Sequence, residues 1–464
     1  MHLTDIEFLS IREISTAIQN GDATSLAVTE HLLARIARMN PHLQAFCTVT
    51  ADLARTQAQQ ADAELAAGRK RGPLHGVPVA VKDLCFTQGI PTSSGMAIFR
   101  DWAPDYDATV VTLLREAGAV LLGKLSMTEG AGLMHHPEMP TPRNPWNDAL
   151  WTGVSSSGSG VAAAAGLCFG ALGSDTGGSI RLPSAANNVT GLKTTWGRVS
   201  RYGVFPLAES RDTIGPMARS AEDVAILFDA IAGHDANDPT SLTAPNSSAL
   251  AGLAGAEGAR GLRIGIDRTF CTRGVASEVA EATQQAARTM ESAGATLVDI
   301  AFPDLEPLLT NFRESMLREA AKAHEALYRQ HRDRYGPWFG AALEQFMAAP
   351  DEPVEERVAR ETFKEAYLRL FDSVDAVMVP ASPIVIPEAD KVAAYLQPGP
   401  GTLAYFTAFI NVAGTPSLTL PCGFSENGTP IGLQLAGPPL AEPLLLRLGH
   451  AYQQVTDWHL RHPG

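Results

Sequence analysis

Residues 153–183 read GVSSSGSGVAAAAGLCFGALGSDTGGSIRLP. Small residues and hydroxyls stand here where a globular core would favour larger apolar side chains, so the segment is suited to bringing backbone amides and serine oxygens to one place. Glycine lets a chain approach a ligand closely and visit positive φ. Gly177-Gly178-Ser179 can therefore aim successive N–H groups at one developing negative charge. That arrangement describes an oxyanion hole with its nucleophile attached. Residues 161–167 are expected as a small-residue helix packed closely behind the site, its N-terminal dipole favouring negative charge nearby.

A serine hydroxyl is a poor nucleophile at neutral pH and needs a base beside it. The only histidines near these serines in sequence are His135 and His136, which lack a third ligand at metal spacing, so a zinc site is not expected. A lysine can serve as base once neutral, and burial lowers a lysine pKa by as much as roughly 3–5 units. Lys82 suits that role. It follows the apolar run Val77-Pro78-Val79-Ala80-Val81, which reads as a buried strand delivering its last side chain to a site at the sheet edge.

Taken with VPVAVKDL at 77–84, the serine-rich stretch resembles the amidase signature family, whose members hydrolyse amide bonds with a serine, a second serine in a cis peptide and a lysine. The likeness extends over nearly the whole chain. It implies that Ser179, closing Asp175-Thr176-Gly177-Gly178-Ser179, is the nucleophile and that Ser155 bridges it to Lys82, the general base in a motif of Gly76, Pro78, Lys82 and Asp83. By the same resemblance the backbone N–H groups of Thr176, Gly177, Gly178 and Ser179 form the oxyanion hole, while Ser156, Asp175 and Arg181 support it. Two positions depart from the family pattern: Val154 precedes the bridging serine, and Ser157 lies two places after it, where glycine is usual. Whether the Val154–Ser155 bond is cis is left open by the sequence. Substrate-pocket candidates, chosen by residue type and neighbourhood, are Met127, Thr128, His135, Trp151, Phe205 and Trp338.

Helical and extended patterns alternate. Ser10-Ile11-Arg12-Glu13 reads as a capping box, helices are expected over 26–39, 52–67 and 107–118, and strands over 45–49 and 119–122. This alternation indicates an α/β fold. The resemblance specifies it as the amidase signature fold, a mixed β-sheet core surrounded by helices with a variable helical cap. Residues 238–260 read as an exposed connection. A strand restarts at 263–266, helices follow over 276–293 and 312–335, and segments at 375–380, 411–416 and 432–435 resemble the family's closing elements. The expected organisation is one domain, 1–464, with a core of about 1–240 and 370–464 and a cap of about 241–369 that selects substrates.

Composition is in keeping with an enzyme of this kind. The chain has 464 residues, 45% hydrophobic, with a formal net charge of −14, which argues against nucleic acid or an anionic membrane as partner. Five scattered cysteines without C-x-x-C spacing suit reduced thiols in a cytoplasm. No export signal or membrane anchor is visible, and neither cofactor nor metal is expected. The expected partner is a small-molecule amide, ester or carbamate, and a homodimer is left open. No phosphate-binding or dinucleotide glycine motif is present. The alternatives are the ammonia-producing A subunit of a tRNA-dependent amidotransferase, whose tyrosine- and arginine-containing glutamine motif is not found between 311 and 350, and a non-catalytic binding protein.

Overall fold

The apolar run ending at Lys82 forms the strand that its β-branched residues favour. In the computed structural model, which describes residues 6–245, 247–350, 352–396 and 401–464, this strand belongs to a single large sheet. The strands are β1 (Phe46–Val49), β2 (Pro78–Lys82), β3 (Val120–Leu125), β4 (Gly170–Asp175), β5 (Thr190–Lys193), β6 (Thr213–Ala218), β7 (Arg263–Ile266), β8 (Thr296–Asp299), β9 (Ala376–Pro380), β10 (Ser417–Phe424) and β11 (Pro430–Ala436). Their spatial order is β1-β3-β2-β4-β6-β5-β10-β11-β9-β7-β8. β2 runs parallel to β3 and β4, and β7 parallel to β8 and β9. The remaining pairs are antiparallel, so the sheet is mixed. Helices surround it, and the fold is α/β.

Every residue of β2, β3 and β4 is buried, as expected where helices cover both faces of a parallel sheet segment. Parallel neighbours end at the same edge. Val81 lies opposite Leu172, so the carboxyl ends of β2 and β4 bring Lys82 beside Ser174 and Asp175. Crevices beyond the carboxyl ends of such strands are where α/β sheets place their ligands.

The helices largely follow the sequence pattern. Ser10 caps Ile11–Asn20 in a reciprocal capping box with Glu13, and the helices Ser25–Leu43, Ala51–Ala66 and Thr109–Glu116 occupy the expected stretches. The small-residue helix begins earlier than expected, at Ser157–Ala164, and is wholly buried. Its glycines permit this: a Cβ on Gly158 would lie within 2.6 Å of the Ser126 backbone N and O.

The segment 241–369, expected as a cap, divides in two. Residues 263–299 contribute β7, β8 and the helix Ser277–Ser292 to the sheet layer, because the apolar strand Arg263–Ile266 pairs with β9. Residues 306–369 supply the helices Glu306–His331, Pro337–Met347 and Val354–Arg369. Among the described residues, no helix is long and apolar enough to cross a membrane.

Candidate active site

Lys82 is 0% exposed. Its Nζ lies 2.6 Å from Ser155 Oγ, 2.8 Å from Ser174 Oγ and 2.9 Å from Ser156 Oγ. Burial pushes the amine down to about 7, against a smaller opposing pull from Cys85, Asp175 and Asp212. A neutral amine carries two N–H bonds and one lone pair, so three hydroxyl neighbours are all satisfied only if one of them donates to Nζ. Ser156 Oγ is already committed, donating to Ser174 O at 3.1 Å and accepting from Ser174 N at 3.2 Å. The hydroxyls free to donate to Lys82 are therefore those of Ser155 and Ser174.

The turn carrying Ser179 follows β4. Asp175 is buried at its start and accepts hydrogen bonds from Gly178 N at 2.8 Å and Ile180 N at 3.0 Å. Arg181, 0% exposed, grips the same carboxylate through Nε at 3.0 Å and a terminal nitrogen at 2.9 Å. Desolvation works to raise the Asp175 carboxyl, but the Arg181 charge and its hydrogen bonds, with Lys193 and Asn411, hold it well below the usual range. The remaining Arg181 donors reach Thr407 O, Gln434 Oε1 and Asn411 Oδ1. This fork geometry is the bidentate pairing peculiar to arginine. Asp212 completes the support by accepting from Thr176 Oγ1 at 2.6 Å.

One expectation for the turn is corrected. The Gly178 N–H, assigned to the oxyanion hole, is donated to Asp175 Oδ1 at 2.8 Å. The backbone N–H groups of Thr176, Gly177 and Ser179 have no hydrogen-bond partner among the described residues. The Val154–Ser155 peptide bond is cis.

Ser179 lines a cavity together with Thr176, Gly177, Trp151 and Leu182. One face of the helix Glu306–His331 joins this lining with Leu309, Phe312, Arg313 and Met316. Of the six residues expected to line this pocket, Trp151 does so and five lie elsewhere. Met127 is packed in the main core. Thr128 Oγ1 is turned away to donate to Gly132 O at 2.6 Å. Phe205 packs edge-on against Phe99 and His324 beside a separate surface cleft, and Trp338 stacks on Phe339. His135 instead sits behind the site, its Nε2 3.0 Å from Ser157 Oγ, where desolvation and the nearby Lys82 push it down to about 4. The helix residues were missed although their i, i+3, i+4, i+7 spacing marks one face. Nothing in that spacing says what the face covers.

The mixed α/β sheet thus brings the buried Lys82 at the end of β2 to Ser174 near the end of β4 and to Ser155 and Ser156, an arrangement suited to hydrolytic chemistry. The chain belongs to the amidase signature family: the family model described as Amidase matches residues 27–446. It is an amidohydrolase. The chain is 43% identical to the putative amidase AmiD of Mycobacterium tuberculosis, over 99% of this chain and 96% of that protein. It is 37% identical to the A subunit of the glutamyl-tRNA(Gln) amidotransferase of Chloroflexus aggregans, over 99% of each. Among solved structures it resembles the native peptide amidase of Stenotrophomonas maltophilia, with a TM-score of 0.83 and 31% identity over 100% of this chain and 99% of the other.

Proposed function

We propose that this chain hydrolyses the C–N bond of a small-molecule carboxamide or aryl amide, with esters and carbamates as further substrates, through an acyl-enzyme on Ser179. The observation that carries this reading is the 2.6 Å contact between Ser155 Oγ and a fully buried Lys82 held near neutrality. Ser179 adds to the carbonyl carbon and passes its proton to Ser155, whose own proton moves to the neutral Lys82. The oxyanion of the tetrahedral intermediate rests on the unpartnered N–H groups of Thr176, Gly177 and Ser179. The relay then runs in reverse. Lys82 returns its proton through Ser155 to the departing amine, and water hydrolyses the ester by the same route. Amides need that acid step most, because an amine leaves poorly without a proton.

Asp175 and Arg181 hold the turn and take no proton. All five cysteines are unpaired, and the proposal sets the enzyme in a reducing cytoplasm. The competing amidotransferase reading predicts release of ammonia from glutamine. Assaying the isolated chain on glutamine and on an aryl amide separates the two: turnover of the aryl amide with none of glutamine supports the proposal, and the reverse overturns it.

A further inference from the structure

The cavity at Ser179 is lined mostly by apolar residues, with the hydroxyls of Thr176, Ser179 and Tyr395 and one charged side chain. Arg313 projects from the same helix face as Leu309, Phe312 and Met316. It is half-buried, and its Nε is buried without a hydrogen-bond partner. Among the described residues Arg313 has no ion pair, whereas its helix neighbour Arg318 is paired with Glu314 and Glu356. A guanidinium always carries its charge and presents a planar fork matched to a carboxylate. A buried donor left unmet is costly, and here that Nε belongs to an unpaired guanidinium lining the cavity, where an acceptor on a ligand would meet it.

We propose that Arg313 binds a carboxylate on the substrate, separated from the scissile amide by a hydrocarbon spacer lying against Phe312 and Met316. This rests on the assignment of Ser179 as the reacting residue of the same cavity. The lining adds a second restriction. No aspartate or glutamate among the described residues faces the cavity to take an ammonium group, so an α-amino acid such as glutamine would leave its own cation unpaired. The substrate class is thus an anionic amide without an amine, such as the monoamide of a dicarboxylic acid.

The test compares monoamides from succinamic to suberamic acid with alkanamides of equal length. At the best spacer length the wild type should favour the acid, and Arg313→Met should lower the ratio of kcat/KM for acid over alkanamide by about 10–100-fold, the range expected for a charge-assisted pair. Arg313→Lys should restore part of the ratio. Calorimetric binding of the same acids to Ser179→Ala gives a readout independent of chemistry, and Arg313→Met in that background should weaken it by a similar factor. An unchanged ratio and unchanged binding in a folded Arg313→Met protein overturn the proposal. Failure of a fluorophosphonate to label Ser179 overturns the catalytic assignment instead and leaves the binding comparison to decide the role of Arg313.

Discussion

The amide N–H of Ser156 donates to the carbonyl oxygen of Ser179 at 3.2 Å. This bond ties the segment carrying Ser155 to the turn carrying Ser179, two pieces of chain separated in sequence by the whole of β4. Thr407 fastens the same turn from the other side, its Oγ1 donating to Gly177 O at 2.7 Å. The groups proposed to react are therefore placed by backbone as well as by side chains, and their effects should behave as those of one unit.

Ser179→Ala should lower amide turnover by at least about 10³-fold, as loss of a nucleophile does in other serine hydrolases. Intact-mass spectrometry after fluorophosphonate treatment should find one adduct in the wild type and none in this variant. Undiminished labelling would remove Ser179 from its role.

Lys82→Ala and Ser155→Ala should each depress amide hydrolysis more than hydrolysis of an activated ester, whose leaving group does not need the relayed proton. The double variant should be little worse than Lys82→Ala, since both act through one proton path. Additive losses in kcat/KM would contradict the shared path.

Activity should rise with pH through about 7, where Lys82 gives up its proton. His135, held near 4, is neutral across that range and should not set the limb, so His135→Asn should leave its midpoint in place. Stability follows the same group. The folded lysine loses its proton near 7 and the unfolded one near 10.5, so between those values the unfolded chain binds more protons and stability increases with pH. The cost of the buried charge is full below the folded value and gone above the unfolded one. Urea midpoints measured at both ends of that window should differ in the wild type by more than in Lys82→Met.

Arg181→Met should destabilise the fold by about 3–5 kcal/mol, because it strands the buried Asp175 carboxylate. Arg181→Lys should recover only part, lacking the second prong of the fork. Chemical denaturation with an unchanged m-value provides the measurement.

Gly158→Ala should cost about 1–3 kcal/mol, since its methyl group would meet fixed backbone at Ser126 rather than a yielding side chain. Thermal unfolding tests this, and a neutral result would mean that the serine-bearing helix can shift.

The lysine and serines proposed to react were legible in the sequence because each stands in a recognisable local segment. Lys82 closes a recognisable strand, and the serines stand in glycine-rich turns whose small, polar composition suits little besides a site. β4 was not legible. Its sequence GALGSD has little strand propensity, and small residues are tolerated there because neighbouring chain closes in on both faces. β6 was hidden by Pro216, a residue that ordinarily argues against a central strand. The pocket failed for another reason. Trp338 and Phe205 are as aromatic as Trp151, but residue type cannot say which ring faces a cavity and which packs on Phe339 or His324. The Gly178 amide is taken up by the Asp175 side chain three residues earlier, a local pairing that residue type alone does not mark.

The helix Glu306–His331 lends one face to the cavity, whereas Lys82 ends β2 and Ser155 precedes the helix Ser157–Ala164. Mutational change along Leu309, Phe312, Arg313 and Met316 can accordingly redraw what the cavity accepts while the residues proposed to react stay on other elements. A repertoire of substrates can diversify on that one surface.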